Sequence, residues 1–233
     1  MAHYYEKLAD GTVQPRHFVP LVSRPEELRP TRINDVKKMW KENRIVVPSV
    51  TTILNVLAKD ALINWKIDKH LEQAHRVASA RIAEVRANGS FPDIDLDRFI
   101  NEIKRLTEIE MDKAPSAGSD FHSLMEKYFS GSLPETNGYY GLCKNVGEVI
   151  EERTGIPVGH MWETEKYFIS DIGYGGTADV VYAGQNAWDI DYKTKQTADK
   201  FKPGKMVYDD HLMQLAAGRK GLGLDKARCA NVF

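Results

Sequence analysis

Cysteine is scarce in this chain, and the two cysteines that occur, Cys143 and Cys229, lie far apart in the sequence. Neither belongs to a CxxC pair or to a Cys/His neighbourhood, which are the arrangements that hold zinc or an iron–sulfur cluster. The sequence therefore predicts no zinc site and no iron–sulfur cluster, and we expect both cysteines to be ordinary buried thiols.

Long apolar runs and an excess of one charge are also missing. No stretch approaches the roughly 20 apolar residues of a membrane span, and the opening MAHYYEKLADG has neither the apolar core of a signal peptide nor the composition of a transit peptide. We therefore expect a protein of the reducing cytoplasm with no membrane partner.

The charges of the chain nearly cancel: Lys+Arg number 32 against 33 Asp+Glu, for a formal net charge of -1. Contact with a polyanion would thus depend on local clusters of basic residues.

The pattern of apolar residues predicts helices first and strands later. With 233 residues and 42% hydrophobic content, the chain can form one buried domain, or one domain with a helical appendage. Turn residues interrupt a region rich in Trp, Tyr, Val, Ile and Thr, which is typical of three strands. The expected fold is an α/β sandwich around one mixed sheet. The predicted helices span 34–42, 50–57 after the N-cap Ser49, 60–86, 95–111, 118–129, 139–153 and 204–220, and the predicted strands lie within 161–193 and at 227–233.

Charged side chains alternate with apolar ones along the third predicted strand, residues 187–193. Asp189, Asp191 and Lys193 share one face, and the other face is apolar. Asp179 lies on the preceding strand. Two carboxylates on neighbouring strands can hold a hard cation such as Mg2+ or Mn2+, and a nearby lysine can reach the water or phosphate beside it. A solvated sheet edge would give the same alternation.

Short motifs follow one another along the second half of the chain. They are His122 after Gly118, Gly176-Thr177-Ala178-Asp179, Asp191-Tyr192-Lys193 and Gln214-Leu215-Ala216-Ala217. These segments resemble the motifs of the PD-(D/E)XK nuclease superfamily, within it the RecB-like exonucleases. One further segment, Pro48-Ser49-Val50-Thr51, is similar to the start of the mitochondrial genome maintenance exonuclease and its phage-encoded relatives. The resemblance covers residues 47–233 and implies a restriction-endonuclease-like core with a central mixed sheet flanked by helices.

This resemblance also implies an organisation of the chain and a role for each site residue. Residues 116–233 would form the nuclease core, 47–115 a helical region that could cover the active site, and 1–46 an N-terminal extension, all in one compact unit. The implied ligands of Mg2+ or Mn2+ are His122, Asp179, Asp191 and the carbonyl of Tyr192. Lys193 would orient the attacking water. Gln214 would touch phosphate or a metal-bound water, and Glu165 would act through a second metal or a water.

Some alternatives stay open at individual positions. Asp189 shares the face of Asp191 and is the rival ligand, although only Asp191 has the D-x-K spacing. Glu126 is either a supporting carboxylate or a surface residue. Gly218 stands where the family often has an aromatic, and the cysteines that bind an iron–sulfur cluster in some members are absent.

Contact with nucleic acid is expected at two places. A basic stretch, Lys195, Lys200, Lys202 and Lys205, follows the D-x-K strand and could hold phosphates, although such a stretch can also be a solvated loop. Trp65 and the basic residues Lys66, Lys69, Arg76, Arg81 and Arg86 could cover a single strand by charge and stacking. Amphipathic helix packing explains the same residues.

The implied function is a metal-dependent deoxyribonuclease, an exonuclease acting on single-stranded or frayed DNA ends. DNA would be the substrate, a recombination or replication protein a possible partner, and the cytoplasm (that of the host, for a phage-encoded protein) the location. The alternatives are an endonuclease of the same superfamily and a non-catalytic DNA-binding recombination protein.

Overall fold

The structure is a computed structural model that describes residues 3–21, 23–55, 60–89, 95–159, 161–194 and 207–233. Its elements mix α and β structure, as the sequence predicts. In chain order they are β1 (Tyr4–Lys7), β2 (Val13–Pro15), β3 (Phe18–Pro20), β4 (Leu28–Pro30), α1 (Ile33–Lys41), β5 (Ile45–Pro48), α2 (Val50–Leu54), α3 (Asp60–Asn88), α4 (Leu96–Phe129), α5 (Tyr140–Thr154), β6 (Glu163–Ile169), β7 (Gly175–Tyr182), β8 (Trp188–Tyr192), α6 (Asp209–Gly221) and β9 (Arg228–Val232).

The largest sheet has four strands in the order β6-β7-β8-β9. The first three form an antiparallel meander, and β9 pairs with β8 in parallel. This confirms the predicted run of three strands, the final strand and a mixed sheet. Because a parallel partner needs a crossover connection, helix α6 lies between β8 and β9 in the chain.

The main core lies on the apolar side of β8. Ile190 and Tyr192 are buried and pack with Met125 of α4 and Ile150 of α5. The predicted apolar face of this strand is therefore confirmed. Cys143 is also buried in this core, but Cys229 is exposed, so the expectation of two buried thiols is wrong for Cys229. The reason is its position on β9, the edge strand of the sheet.

The N-terminal residues form more structure than the sequence indicates. Helix α1 confirms the predicted helix, but strands β1 to β5 were not predicted. They build a three-stranded sheet, β2-β1-β5, and a two-stranded one, β3-β4. Strands of three or four residues are too short to show an alternating pattern, and several of them end at a proline. An isolated parallel bridge between Ser49 and Gly175 links this region to β7.

Two predicted helix boundaries are wrong. The predicted break near Gly118 is absent, because α4 runs without interruption from Leu96 to Phe129 and includes Pro115. A proline removes only one i→i−4 hydrogen bond, and the helical segments on both sides of it are long enough to sustain the helix. Helix α6 begins at Asp209, not at 204. Residues 204–206 lie outside the described residues.

By backbone proximity the chain divides into two compact units, one made of residues 1–57 and 121–233, and the other of residues 58–120. The N-terminal sheets thus belong to the same unit as the four-stranded sheet. None of the helices within the described ranges is long and apolar enough to cross a bilayer.

Candidate active site

A cleft of about 230 Å3 lies on the four-stranded sheet, within the unit formed by residues 1–57 and 121–233. Four parts of that unit line it: strands β6 to β8, the last turns of helix α4, helix α6 and the N-terminal region. Five of the site residues proposed from the sequence meet here. Those lining the cleft are His122, Asp179, Asp191, Lys193 and Gln214, together with Asp189.

His122, Glu165 and Asp179 bring three potential ligand atoms within 4.8 Å of one another. The Nδ1 atom of His122 lies 3.4 Å from Asp179 Oδ1 and 3.7 Å from Glu165 Oε1. Asp179 first and Glu165 second raise the pKa of His122 to about 10, so the imidazole is held by two carboxylates. The resemblance implied that Glu165 acts through a second metal or a water, whereas the structure puts it beside two of the expected ligands.

Glu165 has a strained backbone, with φ of 48° in the left-handed region. Its neighbours Thr164 and Lys166 pair with Val180 and Ala178, so Glu165 lies opposite Asp179 across the two strands. A residue with a Cβ in this conformation costs about 1–2 kcal/mol, and such strain occurs preferentially at functional sites. The strained backbone therefore supports a functional role for the Glu165 carboxylate.

The backbone of β8 orients Asp179. The Tyr192 N–H donates a hydrogen bond of 2.7 Å to Asp179 Oδ2, which leaves Oδ1 facing His122. The resemblance implied a role for the carbonyl of Tyr192, whereas the contact present in the structure is made by its N–H.

Lys193 connects the second aspartate to helix α6. Its Nζ donates to Asp191 Oδ1 at 2.9 Å and to Gln214 Oε1 at 2.9 Å, and it lies 2.7 Å from Asp191 Oδ2. Gln214, expected to touch phosphate or a metal-bound water, thus contacts the lysine directly. The ammonium group is held at the cleft by one carboxylate and one amide.

Asp189 lies deeper than Asp191, although both line the cleft. It is only 2% exposed, and its Oδ2 has no hydrogen-bond partner among the described residues. Burial, followed by the charges of Asp191 and Asp179, raises the pKa of Asp189 to about 7. A Cβ added to Gly218 would lie 2.7 Å from Asp189 Oδ2, so α6 approaches this carboxyl too closely for any larger side chain. This accounts for glycine at 218, where the resemblance often has an aromatic.

The charges in the cleft suit a divalent cation. Among the described residues, the carboxyl groups of Asp179, Asp189 and Asp191 line the cleft and Glu165 lies beside Asp179, while the basic side chains next to them are those of His122 and Lys193, with the charge of Arg219 acting on Asp189. Burial and the charge of Asp179 raise the pKa of Asp191, and Lys193 only partly opposes this. Carboxylate oxygens with one imidazole nitrogen are a donor set that fits Mg2+ or Mn2+.

The structure does not place the remaining proposed residues in the cleft. Lys195, Lys200, Lys202 and Lys205 lie outside the described residues, and so does the side chain of Trp65. Two of the basic residues on α3 are paired with acids, Lys69 with Glu72 at 2.8 Å and Arg81 with Glu102 at 3.5 Å. Glu126 is exposed.

Sequence reasoning missed the contribution of the N-terminal region to the cleft. Tyr5 and residues 49–51 line it, and the hydroxyl of Tyr5 forms a 2.7 Å hydrogen bond with Thr177 Oγ1 of β7. The only available signal was the Pro48-Ser49-Val50-Thr51 segment, because the sequence of β1 shows no pattern that relates it to the site.

Comparison of the chain with protein-family models, with curated proteins and with solved structures found no match.

Proposed function

We propose that this protein is a metal-dependent deoxyribonuclease with a restriction-endonuclease-like core. One observation carries the proposal: the cleft is lined both by His122 and Asp179, which form a cluster with Glu165, and by Asp191, Lys193 and Gln214, which contact one another. Phosphodiester hydrolysis needs oxygen ligands for a cation next to a fixed positive charge, and this cleft supplies both.

His122, Glu165 and Asp179 would hold Mg2+ or Mn2+, with Asp191 on the neighbouring strand as a further ligand. A bound cation would supply Lewis acidity and lower the pKa of a coordinated water. Lys193 would contact the water or a phosphate oxygen and offset the charge that develops there. Gln214 fixes the ammonium group through its Oε1, so it acts mainly by holding Lys193 in place.

The proposed substrate is DNA with a single-stranded or frayed end. The proposal extends to a cytoplasmic location and to a role in recombination or replication. A non-catalytic DNA-binding protein would not need the cleft residues Asp179, Asp191 and Lys193, and all three are present.

Digestion of linear and circular single-stranded DNA of the same sequence, with Mg2+, with Mn2+ and with EDTA, tests this function. We expect cation-dependent loss of the linear DNA only. Cleavage of the circle would identify an endonuclease of the same kind. If neither DNA is cut with either cation, and a matched Asp191→Asn preparation behaves identically, the protein is not a deoxyribonuclease.

A further inference from the structure

Tyr167 is an exposed aromatic side chain close to the proposed metal cluster. It lies on β6, two residues after Glu165, and is 42% exposed. Across the strands it pairs with Thr177, which is two residues from Asp179 on β7. Two residues span about 7 Å of strand, so the backbone of Tyr167 lies about 7 Å from that of Glu165, the length of one or two nucleotide steps of a stacked strand (~3.4 Å each).

The ring of Tyr167 packs against Tyr5, which lines the cleft. The ring centroids of the two residues are 6.0 Å apart, and His17 packs edge-on against Tyr5 at 5.2 Å. Tyr5 is itself buried and its hydroxyl is hydrogen-bonded to Thr177. These contacts already order the neighbouring aromatic side chains, so a planar ligand that stacks on Tyr167 would have fewer groups to immobilise.

We propose that Tyr167, backed by Tyr5, is a stacking site for a nucleobase of single-stranded DNA, one or two nucleotides from the phosphate that is cleaved. This inference rests on the proposed function and adds to it the residue that selects an unpaired strand. A base within a duplex is covered on both faces by its neighbours, whereas an unpaired or terminal base can turn one face to the tyrosine ring. Stacking of this kind is independent of base identity.

Binding of a labelled single-stranded oligonucleotide by the full chain tests the inference without requiring turnover. Loss of one stacked base costs about 1–3 kcal/mol, so we expect Tyr167→Ala to weaken binding about 5- to 150-fold, and Tyr167→Phe to bind like the wild type. Tyr139→Ala is the matched control, because Tyr139 is an exposed tyrosine of the same unit that lies at the start of helix α5 and does not line the cleft. It should leave binding unchanged.

Oligonucleotides with one abasic residue, placed in turn at the first four positions from each end, separate stacking from a general effect on the fold. At one position, loss of the base should weaken binding to the wild type as much as Tyr167→Ala weakens binding of the intact oligonucleotide. Tyr167→Ala should then bind this abasic oligonucleotide no more weakly than it binds the intact one. Additive losses of affinity at every position would overturn the stacking site.

If the wild type cleaves the oligonucleotide but Tyr167→Ala binds and cleaves normally, the stacking site fails and the nuclease function stands. If the wild type neither binds nor cleaves it, the proposed function fails.

Discussion

Asp189 and Asp191 differ in what they contact, although they are only two residues apart on β8. Asp191 is bound to Lys193, which Gln214 also holds, whereas Asp189 is enclosed against Gly218. We predict that Asp191→Asn and Lys193→Ala each lower the cleavage rate by at least about 10²-fold, the effect of removing one charge-stabilising group. Initial rates with each folded variant, verified by circular dichroism, measure this. Wild-type rates in either would contradict the assignment.

Asp189→Asn is the companion variant for this test. The Asp189 carboxyl is nearly inaccessible and has a pKa raised to about 7 by its burial, so a neutral amide of the same shape should be tolerated. We predict a rate within about tenfold of the wild type. An inactive Asp189→Asn together with an active Asp191→Asn would show that the ligand is Asp189.

His122 provides the only nitrogen donor of the proposed metal cluster. Imidazole favours softer divalent ions than Mg2+, so we predict that Mn2+ supports the wild type at least as well as Mg2+. His122→Ala should weaken Mn2+ binding about 10-fold or more. Calorimetric titration of Mn2+ into both proteins measures the difference. Equal affinities would mean that His122 is a structural residue of α4.

Helix α6 approaches β8 at Gly218, and a methyl group there would collide with Asp189. We predict that Gly218→Ala lowers the free energy of unfolding by about 1–3 kcal/mol and also lowers activity, because Gln214 is one turn earlier on the same helix. Gly141→Ala on α5 is the control. A Cβ at 141 meets no atom within 4 Å, so alanine should stabilise the helix by up to about 1 kcal/mol.

Chemical denaturation of the two glycine variants measures these changes. Asp189→Ala should restore much of the stability lost in Gly218→Ala, because removing the carboxyl makes room for the methyl group. If the two changes are simply additive, the close approach of α6 to Asp189 is not what requires glycine.

Glu6 joins three strand segments of the N-terminal region. It is buried on β1 and accepts hydrogen bonds from Arg44 (2.6 and 2.9 Å), Arg16 and Gln14. These partners, Arg44 first, lower the pKa of Glu6 from 4.5 to about 2. A lowered pKa means that Glu6 stabilises the fold fully above its ordinary pKa, and that this contribution is lost as the pH falls from about 4.5 towards 2.

We therefore predict that Glu6→Gln is less stable than the wild type by about 1.5–3 kcal/mol at pH 7, and that the difference shrinks below pH 4.5. Urea unfolding at pH 7, 5, 4 and 3 measures it. Glu27→Gln is the matched control, since Glu27 pairs with Arg24 at 2.6 Å on an exposed surface and should change stability by less than about 1 kcal/mol at any pH. A pH-independent difference for Glu6→Gln would contradict the role of its charge.

The spacing of apolar residues predicted those elements that are long enough for the spacing to recur, such as α5 and the meander β6 to β8. It also predicted the two faces of the D-x-K strand. It missed β1 to β5, because strands of three or four residues have no repeat to detect. It also placed a break between residues 111 and 118, where Pro115 and Gly118 weaken local helix propensity but α4 continues. At the site, the contact of Gln214 with Lys193 and the approach of α6 to Asp189 depend on tertiary packing, which spacing in the sequence does not encode.

The charge of the whole molecule gives it no general attraction for DNA, because the net charge is -1 and the cleft is acidic. We predict that binding of a single-stranded oligonucleotide at the cleft is at least roughly tenfold weaker in EDTA than with Mn2+, about 1.4 kcal/mol. Fluorescence anisotropy with Lys193→Ala, which retains the proposed ligands but should not cleave, measures this. Equal affinity under both conditions would mean that the DNA binds elsewhere on the protein.

The left-handed backbone at Glu165 has a consequence for anyone who redesigns this chain. Glycine adopts that conformation without steric cost, so a search for heat-resistant variants would favour glycine at 165 and gain up to about 1–2 kcal/mol. The same substitution would delete one of the three carboxylate or imidazole groups that meet beside β7. Selection for durability alone would thus remove a proposed metal ligand, so the gain in stability would oppose the proposed activity.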